Sequence, residues 1–277
     1  MDINYSSQII EDGYNTSYIV SFIIALFYKS SDADNILNID PYDIQFTYIQ
    51  EFIKIRFIES LRRGYSIHSD VINELRNHLI KCEWCNNISD IHSIISLKGI
   101  DEFYKYFMAK IYNNSHNITL ARIDKNTNTD TNQIVSVPLI ELTLPDGLDK
   151  IGINSLFKAW LGSNISLGSY NYKITSLPDI LPLFIKRNDN KTKIDIKQYI
   201  KFFDAKDSLQ SKLVWKIHSY ICYNGKMGYY SVVKNSNKWI RVSDRIMPSF
   251  RLLDMSDIND VHKLAEDVEL IFYKLKK

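Results

Sequence analysis

The strongest constraint on the fold is a stretch near the start of the chain, Ser17-Tyr18-Ile19-Val20-Ser21-Phe22-Ile23-Ile24-Ala25-Leu26-Phe27-Tyr28. Its apolar residues fall on every side of a helix with 3.6 residues per turn, so such a helix must be buried all round. Asn15, Thr16 and Ser17 stand at its start, and each carries a short polar side chain able to accept from the free N–H groups of a first turn. Ser17 therefore reads first as a cap on a core helix. The positive end of the helix dipole lies at the same place, which favours chemistry on a developing negative charge there. The run is well short of the roughly 20 residues that a bilayer span requires.

A chain of 277 residues can bury such a helix in a sizeable core. Hydrophobic residues at 45% and charged residues at 24% place it among ordinary globular chains. A formal net charge of +2 supplies no strong field for nucleic acid or an anionic membrane, so neither is expected as a partner. Three cysteines, with no charged-apolar-small leader pattern at the start, point to a reducing intracellular setting, cytoplasmic or nuclear, without a disulfide framework. Isoleucine, asparagine and lysine are abundant while glycine is scarce, as in AT-rich genomes of large DNA viruses or certain protists.

Taken in order, the first third reads as helical. Ser30 to Asp34 is a turn. Ile44, Tyr48, Ile49, Phe52, Ile53 and Phe57 recur at helical steps, and Arg62-Arg63-Gly64 closes that element. Val71 to Ile80 predicts a further helix, Ile91 to Ile95 a short one, and Ile100 to Ile111 an amphipathic one. Beyond about Asn113 the period changes to two. Ile118–Ile123 and Ile134–Leu144 alternate as strands, with a polar loop from Asp124 to Asn132 between them. After a short helix at Ile153–Leu161, strands are predicted at Tyr172–Ser176, Ile180–Lys186, Lys212–Ile221, Gly228–Lys234, Lys238–Val242 and Val268–Leu275. Helices first and a mostly antiparallel sheet afterwards make an α+β arrangement.

Few residues offer chemistry on spacing alone. Cys82-Glu83-Trp84-Cys85 could give two thiolates to a zinc, with Cys222, His78 or His92 as completing ligands, but no standard spacing joins them. Two partly buried thiols are the simpler reading, and no metal or cofactor is expected. Asp32-Ala33-Asp34 lacks the glycine of a calcium loop, and no glycine-rich phosphate loop occurs. Tyr229-Tyr230 with Lys234 could stack single-stranded nucleic acid, yet sheet packing explains the strand better without a basic balance.

An ordered set of segments resembles the ubiquitin-specific proteases. Leu177-Pro178-Asp179-Ile180-Leu181-Pro182-Leu183-Phe184-Ile185-Lys186-Arg187 is similar to their Leu-Pro-x-x-Leu-x-x-x-Leu-Lys-Arg strand. Ile194-Asp195-Ile196-Lys197-Gln198-Tyr199-Ile200 is similar to Leu-Asp-Leu-x-x-Tyr-Leu, and Leu213 to Ser219 loosely to Leu-x-x-Val-x-x-His-Ser. Gly228-Tyr229-Tyr230 stands where the family has Gly-His-Tyr. Trp239-Ile240-Arg241-Val242-Ser243-Asp244 stands where it has Trp-Tyr-x-Phe-Asp-Asp, and Val268 to Tyr273 resembles its last strand. Near the start, Asn15-Thr16-Ser17-Tyr18 aligns on the family's Asn-Thr-Cys-Tyr helix. Ile100 to Met108 resembles its Ala-x-Glu-Phe-Leu helix, and Pro138 to Pro145 the strand that re-enters from the fingers. The resemblance runs from about residue 10 to about 275. It implies a papain-like cysteine protease fold, with a single domain over 1–277: a helical thumb to about 112 and an antiparallel palm from about 113.

The resemblance also locates the family's catalytic positions, and the chain departs at each. The nucleophile position holds Ser17, the base position Tyr229, the third position Ser243 with Asp244 beside it, and the oxyanion position Asp12. A serine hydroxyl needs a base to become a nucleophile, and a phenol with an ordinary pKa of roughly 10 is not one at neutral pH. Ser243 has no charge with which to steady an imidazolium. An ionised Asp12 would repel an oxyanion. Asp244 is expected to hydrogen-bond Tyr229 as a structural pair. His218 is not read as a substitute base, because its family counterpart is a non-catalytic strand residue. The family's two Cys-x-x-Cys pairs would fall near Ile123–Asn132 and Leu161–Tyr170, where this chain has no cysteine, so shortened fingers without zinc are expected. The reading is a catalytically inactive homologue, of viral origin and able to sit in a virion, acting as a protein–protein interaction scaffold for a host or viral partner. Alternatives are a non-cleaving binder of ubiquitin or a ubiquitin-like protein, and a serine hydrolase using Ser17.

Overall fold

A computed structural model describes residues 8–41, 43–85, 96–113, 117–124, 126–127, 130–162, 170–187, 192–201 and 214–276. The first helix, α1 (Ser17–Phe27), buries all eleven of its residues, as its apolar circumference requires. α2 (Ile44–Phe52) is capped by Asp43, whose carboxylate accepts from Gln45 N–H. It passes into a π-helical stretch (Ile53–Glu59) and a last turn at Ser60–Arg62. α3 (Ser69–Lys81) and α4 (Ile100–Lys110) complete the helical part. The segment Ile91–Ile95, expected to be helical, lies outside the described residues.

Arg62 does more than close its own helix. Its guanidinium donates to the carbonyls of Phe27 and Ser30 and pairs with Asp34 at 2.7 Å. α1 has no basic residue in its last turn, so Arg62 supplies the positive charge that its free carbonyls favour.

Strands dominate the rest. β1 (Ile118–Asp124), β2 (Asp130–Val137) and β5 (Tyr170–Ser176) form an antiparallel three-stranded sheet. β3 (Ile140–Thr143), β6 (Ile180–Lys186), β8 (Tyr199–Lys201), β9 (Val214–Asn224), β10 (Gly228–Asn235), β11 (Lys238–Val242), β12 (Phe250–Leu253) and β13 (Val268–Leu275) form the large sheet. Its order is β12-β11-β10-β9-β13-β6-β3, with β8 on β9, antiparallel throughout except for β3 on β6. Two short strands, β4 (Lys150–Gly152) and β7 (Lys193–Asp195), pair in parallel. The helices α5 (Ile153–Gly162) and α6 (Ile258–Asp267) complete the elements.

Three expectations are corrected. Ile134–Leu144 is two strands in two sheets, because Pro138 lacks the N–H that would carry the ladder on. The strand β2 begins at Asp130, so the polar loop before it is shorter than the composition suggests. The segment 258–267, to which no element was assigned, is a helix, started by Asp257 accepting from Asn259 N–H.

The large sheet is covered on both faces, and period two along its strands sends side chains to two cores. Leu270 and Phe272 of β13 join the helices, while Ile271 and Tyr273 join the opposite core with Trp215 and Leu183. Likewise Tyr229 and Val233 of β10 face the helices, and Tyr230 and Val232 face away. On the helical side, Phe22 lies edge-on to Phe103, Tyr104 and Phe107 at ring separations of 5.3, 5.9 and 4.6 Å. Trp84 Nε1 donates to the Tyr18 hydroxyl at 2.9 Å, so even the polar edge of this cluster is satisfied. Phe22→Ala should lower the unfolding free energy by about 3–5 kcal/mol in urea denaturation, the range for emptying a buried aromatic site. A loss below about 1 kcal/mol would mean that α1 is not packed as described.

Candidate functional site

The start of α1 meets the start of β10. The chain approaches α1 through Tyr14 and Asn15, both with positive φ (64° and 56°). The N-cap is Thr16, and its hydroxyl makes no capping bond; it accepts from Gly13 N–H upstream at 3.1 Å. Ser17 is thus the first helical residue and not the cap, which corrects the expectation. Its hydroxyl oxygen accepts the backbone N–H of Tyr229 at 3.1 Å, and the residue is fully buried. That bond ties helix to sheet across 212 residues of chain. Gly228 allows the approach: it has φ +72°, and a Cβ built on it would lie 2.7 Å from Ser17 Oγ.

The Tyr229 side chain is buried in the core shared with the helices. Its hydroxyl accepts from Ile100 N–H at 3.3 Å and donates to Glu269 at 3.4 Å. Burial pushes the phenol well above its ordinary pKa, with the Glu269 charge adding to the effect. Burial also raises Glu269 to about 7, opposed by the Tyr229 hydrogen bond and the Arg187 charge. The expected Asp244–Tyr229 pair does not form, because both bonding directions of the phenol are already used.

Ser243 sits at the turn after β11. Its N–H donates to Ser249 O at 2.9 Å and its hydroxyl accepts Arg245 N–H at 3.2 Å, so it is spent on loop geometry. Asp244 is buried, with neither carboxylate oxygen hydrogen-bonded to another residue among those described. Burial, and then the nearby Asp12 charge, push it up to about 7, with Arg245 pulling the other way. Asp12 accepts Tyr14 N–H at 2.9 Å and Arg245 Nε at 3.1 Å. Arg245 was not singled out from sequence, because residues 12, 228 and 245 come together only in the fold.

His218 lies elsewhere. Ser219 Oγ donates to Ala25 O at 2.7 Å, so His218 Nδ1, 2.9 Å from that oxygen, is the donor to it. Ala25 is eight residues along α1 from Ser17, about 12 Å by the helix rise. Burial lowers His218 to about 4, which keeps it neutral. Cys82 is buried at the end of α3, Cys85 is half-buried, and Cys222 lies within β9. His78 contacts the Tyr48 ring at 4.6 Å, and His92 is outside the described residues. Among the described residues no three metal-ligating side chains cluster, and no helix is long and apolar enough to cross a membrane.

No protein-family profile and no curated protein matches the sequence. Solved structures do match over the whole chain. The SAGA DUB module Ubp8/Sgf11/Sus1/Sgf73 bound to monoubiquitin matches with a TM-score of 0.65 and 13% identity, covering 100% of this chain and 71% of that one. The module bound to ubiquitin aldehyde gives 0.64 and 14%, with the same coverage. The yeast module with a substituted Sgf73 gives 0.59 and 13%, covering 100% and 70%. The chain has the α+β fold of ubiquitin-specific-protease-type deubiquitinases. Identities this low speak for the fold and leave the chemistry to the residues at the site.

Asp244, buried and without a hydrogen bond to another residue among those described, gives that site an expected pH dependence. Its folded pKa lies above the unfolded value, so the protein holds this proton between about pH 4 and 7 and loses stability as pH rises through that window. Asp244→Asn should therefore be more stable than the parent at pH 8, and that gain should shrink by up to about 4 kcal/mol as pH falls to 4. Urea unfolding at the two pH values checks it. A difference independent of pH would refute the assignment.

Proposed function

We propose that this chain is a catalytically inactive relative of the ubiquitin-specific proteases that acts as a protein–protein interaction scaffold. One observation carries the reading: at the family's catalytic positions the polar groups are committed to holding the fold. The Ser17 hydroxyl accepts from Tyr229 N–H, the Tyr229 hydroxyl joins Ile100 to Glu269, and the Ser243 hydroxyl shapes its turn. No imidazole lies beside Ser17 among the described residues, since His218 bonds Ser219 toward the far end of α1. A hydroxyl without a base is a poor nucleophile. The carboxylate of Asp12 replaces the donor that an oxyanion needs. Tyr229 cannot take a proton from Ser17 at neutral pH.

In the same reading the chain is one domain over 1–277, with a helical thumb to about 112 and a palm from about 113. The sheet β1-β2-β5 represents shortened fingers without zinc, which agrees with the absence of cysteine near Ile123–Asn132 and Leu161–Tyr170. An intracellular site, cytoplasmic or nuclear, and a viral origin with virion association remain part of the proposal, resting on cysteine usage and composition. The partner is a host or viral protein. Ubiquitin, bound without cleavage, is a second reading favoured by the structural neighbours, which are described as bound to monoubiquitin or ubiquitin aldehyde.

The test uses ubiquitin carrying a C-terminal fluorophore, together with a fluorophosphonate probe. Neither turnover nor labelling of Ser17 is expected, while ubiquitin binding without turnover would select the second reading. Turnover abolished by Ser17→Ala, with labelling of that residue, would establish a serine hydrolase and overturn the proposal.

A further inference from the structure

Beside Ser17, the side chain of Arg245 comes close to the backbone at Gly228. Arg245 Nε pairs with Asp12 at 3.1 Å, and both side chains are about one-third exposed. A Cβ placed on Gly228 would lie 2.7 Å from Ser17 Oγ, 3.3 Å from Arg245 Nη1 and 3.4 Å from Arg245 Cδ. The hydroxyl and the guanidinium therefore border the same small space above Gly228. Ser17 itself is fully buried. Three chain segments meet there: the irregular entry to α1 through Asp12, the start of β10 at Gly228, and the turn between β11 and β12.

We infer that the Asp12–Arg245 ion pair is a latch that closes the space above Gly228 and shields position 17 from solvent, opening when the pair is broken. Two features suit a latch. The pair is solvent-exposed enough to be weakened by salt or by competing charge, unlike a buried ion pair. A second carboxylate, Asp244, is next to Arg245 in the chain, lies close enough for its charge to be felt, and has no hydrogen bond to another residue among those described. It offers the released guanidinium another counter-ion, so the open arrangement need not leave Arg245 unpaired. Gly228 suits the closed form, since a Cβ there would clash with Ser17 Oγ and crowd the Arg245 guanidinium, at a φ of +72° that favours glycine. The latch holds whether or not the chain is a catalyst, because it concerns access to position 17 and not turnover.

The experiment reads access directly. In the full chain carrying Ser17→Cys, alkylation of position 17 by N-ethylmaleimide is followed by peptide mapping, which separates it from Cys82, Cys85 and Cys222. Arg245→Ala and Asp12→Asn should each speed labelling at least about tenfold, while Arg251→Ala, which removes an ion pair to Asp260 elsewhere, should leave it within about twofold. Without further substitution, labelling should rise as salt is increased from about 0.05 to about 1 M, with the circular dichroism unchanged. Rates within twofold for Arg245→Ala, or an equal rise in Arg251→Ala, would overturn the latch. Should Arg245→Ala fail to fold, the salt series decides: a rising rate supports the latch and a flat one refutes it.

Discussion

The bond from Tyr229 N–H to the Ser17 hydroxyl is the joint on which this molecule depends. It links the first turn of a helix buried on every side to the first residues of a central strand. A buried donor must find a partner, and here the backbone N–H of a strand end would otherwise face the helix without one. Gly228 makes the approach possible by having no side chain where Ser17 Oγ and Arg245 converge. Helix, strand and loop are thus held by one hydroxyl, one missing Cβ and one ion pair.

The other polar groups follow the same logic. In a low-dielectric interior an unpaired hydroxyl or phenol is costly, so a buried polar side chain is under pressure to find a partner. Tyr229 is satisfied twice, by Ile100 and Glu269. Ser243 and Ser249 serve the backbone around their turn, and Ser249 Oγ also accepts from Ile10 N–H. Asp244 is buried with neither carboxylate oxygen bonded to another residue among those described, and its raised pKa is the physical consequence. A group left in that state is the part of the site most ready to rearrange.

Much of this was legible in the amino-acid order. The apolar circumference of α1 dictates burial, β1 alternates as a strand does, and β6, β10 and β13 are nearly continuous apolar runs of strand length. The positions of Ser17 and Tyr229 were singled out by the family resemblance, but the bond that joins them appears only in the fold. α6 buries a single residue, Leu264, so its apolar signal is too faint to separate from a polar loop. β4 and β7 have three residues each, too few to show a period. The Asp12–Arg245 contact spans 233 positions and carries no local pattern at all. Asp244 was identified but given the wrong partner, because sequence cannot show that the Tyr229 hydroxyl already bonds to Glu269 and Ile100.

The central claim is that Ser17 holds the fold together and does no chemistry, and its own stability effect tests that most directly. Nucleophiles are generally kept at a cost in stability, so replacing one leaves a protein unchanged or steadier. A hydroxyl that satisfies a buried backbone donor behaves in the opposite way. Urea unfolding of Ser17→Ala should show a loss of about 1–3 kcal/mol, the penalty for leaving Tyr229 N–H without its acceptor. Unchanged or increased stability in that variant would contradict the account.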